Sequence, residues 1–229
     1  MGALRGVLFD VDGTLVDSTY FHTLAWWHGF RRFGHDVRMN EIHRRVGMGG
    51  QKIVEHLLGP ERDASQDQEI LDTHAAVFST FWTHLRRFDG ARDLLGRCKG
   101  AGLTVVLASS ARQQDLDVLR AVIGADKFVD AATSSADAKE SKPAPDILVA
   151  ALKAGGLEAS EVLFVGDAVW DVQAASALGI RTIGLACGGY SAAELEDAGA
   201  AEVFDSPRAL VEGFESSLMG RALSGAESG

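Results

Sequence analysis

Short apolar runs that each stop on a polar residue set the strongest limit on how this chain folds. They are Val7-Leu8-Phe9 before Asp10, "TVVLA" before Ser109 and Ser110, and "VLFVG" before Asp167. Between and after them lie longer stretches with helical spacing: "ARQQDLDVLRAVIG", "APDILVAALKAGG" and "AVWDVQAASALG". "FVDAATSS", "IRTIGLA" and "AEVFD" complete the set of expected strands, with helices in "SAAELEDAG" and at 206–219. Unbroken apolar strands alternating with helices predict an α/β fold, a Rossmann-like parallel sheet covered on both faces.

Residues 15–86 break this rhythm. Three stretches, 18–34, 40–58 and 65–86, lack strand alternation and are separated by "GHDV" and "GPERDAS". An all-helical insertion after the first strand is expected. It divides the chain into a core formed by 1–17 and 87–229 and a helical domain of 18–86. Composition supports the division. The segment 18–86 holds 8 acidic and 8 basic residues, leaving 24 acidic against 14 basic elsewhere, so the core carries the whole net charge of −10. All seven histidines and three of the four tryptophans also fall within 18–86.

That net charge argues against a nucleic-acid or anionic membrane partner. No apolar run approaches the roughly 20 residues that span a bilayer. "MGALRGVLFD" is expected to enter the first strand directly, with no room for a signal peptide. Cys98 and Cys187 lack CxxC spacing and read as reduced thiols of a cytoplasmic protein. The tail "SGAESG" is expected to fray, and a monomer is expected.

In an open parallel sheet, ligands bind beyond the carboxyl ends of the strands. Strand one delivers Asp10 and Asp12 there, strand two Ser109 and Ser110, and strand four Asp167 with Asp171 one helical turn on. The loop after strand three adds Lys142. Two carboxylates one residue apart repel, and burying them is costly unless a cation or a proton relieves them. Carboxylates, a hydroxyl and an ammonium on one edge suit a phosphoryl group held beside a hard divalent cation, Mg²⁺. Asp10 and Asp167 can each give the metal an oxygen. Ser109 and Lys142 can bind phosphate oxygens, and Asp10 can attack phosphorus. Asp12 points the same way as Asp10. With no histidine outside 18–86, it is the group placed to move the proton.

"DVDGTLVDS", "LASS", "SKPAPD" and "GDAVWD", in this order, closely resemble the four motifs of haloacid dehalogenase-superfamily phosphohydrolases. The resemblance covers residues 4 to about 212, and the helical insertion resembles a type-1 cap. The phosphoglycolate phosphatase and β-phosphoglucomutase group is of similar size. The resemblance implies Mg²⁺ dependence, Asp10 as nucleophile and Asp12 as acid and base. It further implies a metal held by Asp10, the Asp12 backbone carbonyl and Asp167, with Asp171 in support.

The expected activity is a phosphomonoesterase for a small phosphorylated metabolite. A phosphosugar mutase is the alternative, and a phosphonate hydrolase a weaker one, because the latter lacks an aspartate at the position of Asp12. A receiver domain is excluded, since strand three ends without an acceptor aspartate. His22, in "DSTYFHTLAW", is a candidate substrate contact, as several sugar-phosphate-acting relatives carry a histidine there. "GMGGQK", with Gly49 and Lys52, reads either as a helix start or as a substrate-sensing loop. Ser109 or Ser110 can cap the helix starting near Arg112. Ser110 is the better placed cap, and it too is a candidate substrate contact. Trp26 and Trp27 are expected to pack inside the helical domain.

Overall fold

The computed structural model describes residues 3–225. Strand β1 (Gly6–Phe9) is followed by a two-residue strand β2 (Val16–Asp17) and helices α1 (Thr19–Arg32), α2 (Met39–His43), α3 (Gly50–Leu58) and α4 (Asp67–Ser79). The chain re-enters the core through β3 (Arg86–Arg87), α5 (Ala91–Gly100), β4 (Thr104–Ala108), α6 (Gln113–Ile123), β5 (Ala131–Thr133) and α7 (Asp146–Gly155). It continues with β6 (Val162–Gly166), α8 (Val169–Ser176), β7 (Arg181–Leu185), α9 (Ala192–Asp197), β8 (Glu202–Phe204), α10 (Pro207–Glu212) and α11 (Leu218–Ser224).

Six strands form one parallel sheet in the order β5-β4-β1-β6-β7-β8. The strand period of two sends alternate side chains to opposite faces. Val7 and Phe9 therefore join Val105, Leu107 and Val165 under α5, α6 and the C-terminal helices, while Leu8, Val106 and Phe164 pack against α7 and α8. Both faces are buried, as the unbroken apolar runs predict. β1 continues to β4 on one side, while its other neighbour, β6, continues to β7 on the opposite side. That opens the crevice where a parallel sheet binds ligands.

The helical segment has a hydrophobic cluster of its own, built on Trp26, Phe30, Ile42, Ile53, Val54 and Ile70, with Trp27 packed at its edge. Its two crossings to the core are the antiparallel pair of β2 with β3, Val16 opposite Arg87 and Asp17 opposite Arg86.

Several local expectations are corrected. The stretch 40–58 is two helices, because Gly47 adopts φ +100° and ends the first helical path. α5 was not anticipated; its buried face is Ala91, Leu94, Leu95 and Cys98, within a sequence otherwise polar or glycine. The helix expected at 206–219 breaks at Gly213, and Ser217 starts α11 by accepting the Gly220 N–H at 3.2 Å. Of the tail expected to fray, Ser224 closes α11 and residues 226–229 lie outside the described residues.

Candidate active site

Asp10 follows β1 directly, and its backbone N–H donates to Val165 O of β6 at 2.9 Å. Its carboxylate, 6 % exposed, faces those of Asp167 and Asp171. Oxygens from the three lie within 4.8 Å of one another. Thr14 Oγ1 donates to Asp167 Oδ1 at 2.7 Å and lies 3.2 Å from Asp10 Oδ2. Asp171 sits in the first turn of α8, where Oδ2 accepts the N–H groups of Asp167 and Ala168 at 3.1 Å each. Lys142, 1 % exposed, places Nζ 2.5 Å from Asp10 Oδ1 and 2.8 Å from Asp171 Oδ1.

Burial dominates the electrostatics. It pushes the Asp10 carboxyl up to about 7, with the Asp171 and Asp12 charges adding and Lys142 opposing. Asp167 rises well above the ordinary range through burial and its two carboxylate neighbours. Burial works against the Lys142 charge too, but Asp10 and Asp171 outweigh it and hold the ammonium firmly protonated. Fully ionised, three carboxylates against one ammonium would leave two negative charges, the complement of a divalent cation. The donors are all oxygen, the set a hard cation prefers. Asp10, Asp167 and Asp171 thus fit the expected metal. Gly13 (φ +80°) and Gly188 make room, since a Cβ on either would overlap the Asp167 carboxylate.

Asp12 stands apart from that cluster. Its Oδ1 accepts the Ser18 hydroxyl at 2.6 Å and lies 3.1 Å from His22 Nε2 on α1. Burial opposes its ionisation, but His22 and the Ser18 hydrogen bond prevail and hold the carboxyl below the ordinary range. His22 Nδ1 in turn lies 3.1 Å from His74 Nε2 on α4. An ionised Asp12 takes a proton donor at His22 Nε2; in the neutral imidazole this leaves Nδ1 an acceptor and makes His74 Nε2–H the donor. Burial, reinforced by the nearby Arg112 charge, holds His74 neutral. His22 also stacks on Phe78 with centroids 3.8 Å apart, and His74 stacks on Trp26 at 4.0 Å.

Neither Ser109 nor Ser110 caps α6, whose N-terminus has no side-chain cap hydrogen bond. Ser109 is the serine whose Oγ accepts a backbone N–H, that of Ala111, at 3.0 Å; its own proton remains to donate. Ser110 caps nothing, and its Oγ is buried without a hydrogen-bond partner on the cavity wall. Lys52 lines the same cavity, but its ammonium donates to Ser141 O at 2.7 Å and pairs with Glu140 at 3.1 Å. Gly49 packs on Ser141, where a Cβ would overlap the serine side chain. Thr14, Ser18 and His74 were missed by the sequence reading. Thr14 and Ser18 lie inside the "DVDGTLVDS" motif, and His74 is marked only by the confinement of histidine to 18–86.

A family model for haloacid dehalogenase-like hydrolases matches residues 4–179, and the chain belongs to that family. It is 35 % identical over 214 residues to the protein SUPPRESSOR OF QUENCHING 1, chloroplastic, of Arabidopsis thaliana, covering 89 % of this chain but only 20 % of that protein. It is 27 % identical over 213 residues to a phosphoglycolate phosphatase of Pseudomonas savastanoi, covering 90 % of this chain and 78 % of the relative. The crystal structure of a hydrolase from Pseudomonas syringae superposes with a TM-score of 0.88 at 29 % identity, covering 93 % of this chain and 98 % of that one. The chain is a hydrolase of that family, with phosphatase-named relatives matching it over most of its length. Among the described residues no helix is long and apolar enough to cross a membrane.

Proposed function

We propose that this protein is a Mg²⁺-dependent phosphomonoesterase that acts on a small phosphorylated metabolite through an aspartyl-phosphate on Asp10. The observation that carries the reading is Asp10 itself, a buried carboxylate paired with Lys142 and opening onto a cavity shared with Asp12. One Asp10 oxygen attacks phosphorus as the ester P–O bond breaks, and Asp12 gives the leaving alcohol its proton. Asp12 then takes a proton from water, whose oxygen attacks the same phosphorus. The bond to Asp10 breaks, and inorganic phosphate leaves. Ser109 and Lys142 are suited to hold phosphoryl oxygens. Asp10, Asp167 and Asp171, with the Asp12 carbonyl as the family resemblance implies, would hold Mg²⁺, which when bound neutralises charge on the phosphoryl oxygens.

Asp12 must carry a proton to act as the acid, although His22 and Ser18 hold its carboxyl low. A phosphate dianion beside it works in the other direction, since a like charge favours the protonated form. We read residues 18–86 as a cap, supported by its separate hydrophobic cluster and its two-strand hinge. A cap must move, which favours a monomer, and the free thiols Cys98 and Cys187 favour a reducing, cytoplasmic setting. The test is phosphate release from a panel of about a hundred phosphorylated metabolites with Mg²⁺, using Asp10→Asn as control. Release unaffected by that substitution would overturn the reading. Isomerised sugar phosphate in place of inorganic phosphate would make the protein a mutase.

A further inference from the structure

Of the three clustered carboxylates, Asp10 lines the cavity over the nucleophile, whose volume is about 490 Å³. Asp167 is covered instead by two backbone turns, those of Gly13 and Gly188, on either of which a Cβ would overlap its carboxylate. The Cys187 thiol ties the two together, donating to Gly13 O at 3.3 Å. Gly188 belongs to the turn after β7, residues 186–190, and the helical segment rests on that turn. Gly189, at φ +112°, leaves room for the His43 imidazole of α2, which a Cβ there would overlap. Tyr190, 6 % exposed, packs its ring with Ala168, Val172 and Leu195. Its hydroxyl donates to the backbone oxygen of Arg44, the residue after α2, at 2.7 Å. Ala168, which directly follows Asp167, lies under Gly47 of the helical segment, where a Cβ would come within 3.0 Å of it. Both stretches of backbone that set the place of Asp167 therefore carry a contact from residues 43–47.

We propose that His43 and Tyr190 are positioning residues for the metal ligand Asp167, acting through the 186–190 turn, so that Mg²⁺ binding and the seating of the helical segment favour each other. The proposal rests on the metal assignment and the cap reading and goes beyond both. Neither His43 nor Tyr190 lines the cavity, so contact with substrate does not explain them. Mg²⁺ tolerates little departure from its preferred ligand geometry. A turn packed on the Asp167 carboxylate therefore changes the affinity when it shifts, because close-packed interiors transmit such shifts. With the helical segment lifted away, the Tyr190 hydroxyl loses its acceptor and Gly189 the ring against it. The turn is then free to rise, and Asp167 to swing from the two carboxylates that repel it. Bound Mg²⁺ holds Asp167 in, and with it the surface on which α2 sits. Such coupling is necessarily reciprocal. The exposed pair of Arg44 with Glu194 adds little to it; the Tyr190 hydroxyl is the directional contact.

The experiment titrates Mg²⁺ calorimetrically into metal-free protein at one pH, for the unaltered chain and for Tyr190→Phe, His43→Ala and His43→Phe. Tyr190→Phe keeps the ring and removes the hydroxyl, and His43→Phe keeps a flat ring over Gly189. In Tyr190→Phe the dissociation constant is expected to rise several-fold, up to about tenfold, the scale of one hydrogen bond. His43→Ala should raise it as well, and His43→Phe should restore most of the affinity. In the reverse direction, Mg²⁺ should slow hydrogen exchange at the amides of residues 39–48 in the unaltered protein, and do so less in Tyr190→Phe. Unchanged dissociation constants in Tyr190→Phe and His43→Ala overturn the link and leave the metal site standing, even where the melting temperature without Mg²⁺ falls. So does exchange at residues 39–48 that Mg²⁺ does not alter. Should Tyr190→Phe not fold, His43→Ala carries the test, since His43 lies on the helical segment, outside the core. Failure of the unaltered protein to bind Mg²⁺ strikes the metal assignment itself, and the link with it.

Discussion

His22 Nε2 on α1 lies 3.1 Å from Asp12 Oδ1 after β1, so a residue of the helical segment aims the carboxylate proposed to move the proton. His74 Nε2, 3.1 Å from the other ring nitrogen, fixes which way that imidazole faces. If the helical segment closes as the proposed cap, it would complete the acid–base group as well as enclose the substrate.

Removing either histidine should show its effect through the leaving group. His22→Ala and His74→Ala are expected to lower kcat on alkyl phosphates about tenfold, the scale of one hydrogen bond to a charged group. Activated aryl phosphates, whose leaving groups need little protonation, should lose less. His74→Gln, which retains an N–H donor, should recover much of the loss. Equal losses on both ester types would mean that the histidines only support the fold.

Asp12→Asn should leave metal and phosphate binding in place while reducing turnover of alkyl phosphates by roughly 10²–10⁴. Calorimetric titration with phosphate in the presence of Mg²⁺, set against steady-state rates, separates the two effects. An unchanged rate would assign the proton transfer to another group.

Mg²⁺ should raise the melting temperature, by an amount that grows with pH. The Asp10 carboxyl is raised to about 7 by burial, so its contribution to stability is full below 3.8 and is lost as pH rises through about 7. Binding needs the deprotonated carboxylate, so the cation compensates over that same interval. Thermal scans at several pH values with Mg²⁺ or EDTA read this directly. Asp167→Asn should reduce the shift strongly, and a shift independent of pH would contradict the assignment of Asp10 as a ligand.

Gly188→Ala tests the same centre from the backbone. The added methyl would overlap the Asp167 carboxylate and push it from its place. The variant is expected to keep its secondary structure by circular dichroism while losing the Mg²⁺ thermal shift and turnover together.

Lys52→Ala addresses the contact between the helical segment and the loop carrying Lys142. Lys52 Nζ donates to Ser141 O at 2.7 Å, and its pairing with the exposed Glu140 adds little. Losing the hydrogen bond should lower kcat/KM for a full substrate several-fold, up to about tenfold. Fluorescence of Trp26 and Trp170, which line or flank the cavity, reports whether the closed arrangement loosens.

The parallel sheet and the edge that carries Asp10, Asp12, Ser109, Lys142 and Asp167 were legible in sequence, because both follow from local rules. An apolar run that ends on a polar residue makes a buried strand with a polar tip, and a parallel sheet collects all such tips at one end. α5 and the break between α2 and α3 were harder to read. Leu94, Leu95 and Cys98 form only a narrow apolar stripe, and Gly47 was visible without its positive φ. The partners of each side chain were decided in three dimensions alone. Thr14 meets Asp167 across 153 positions of sequence, and His74 meets His22 across 52. No local pattern encodes such pairings: the pairing of β1 with β6 brings Thr14 to Asp167, and the packing of α1 on α4 brings His22 to His74.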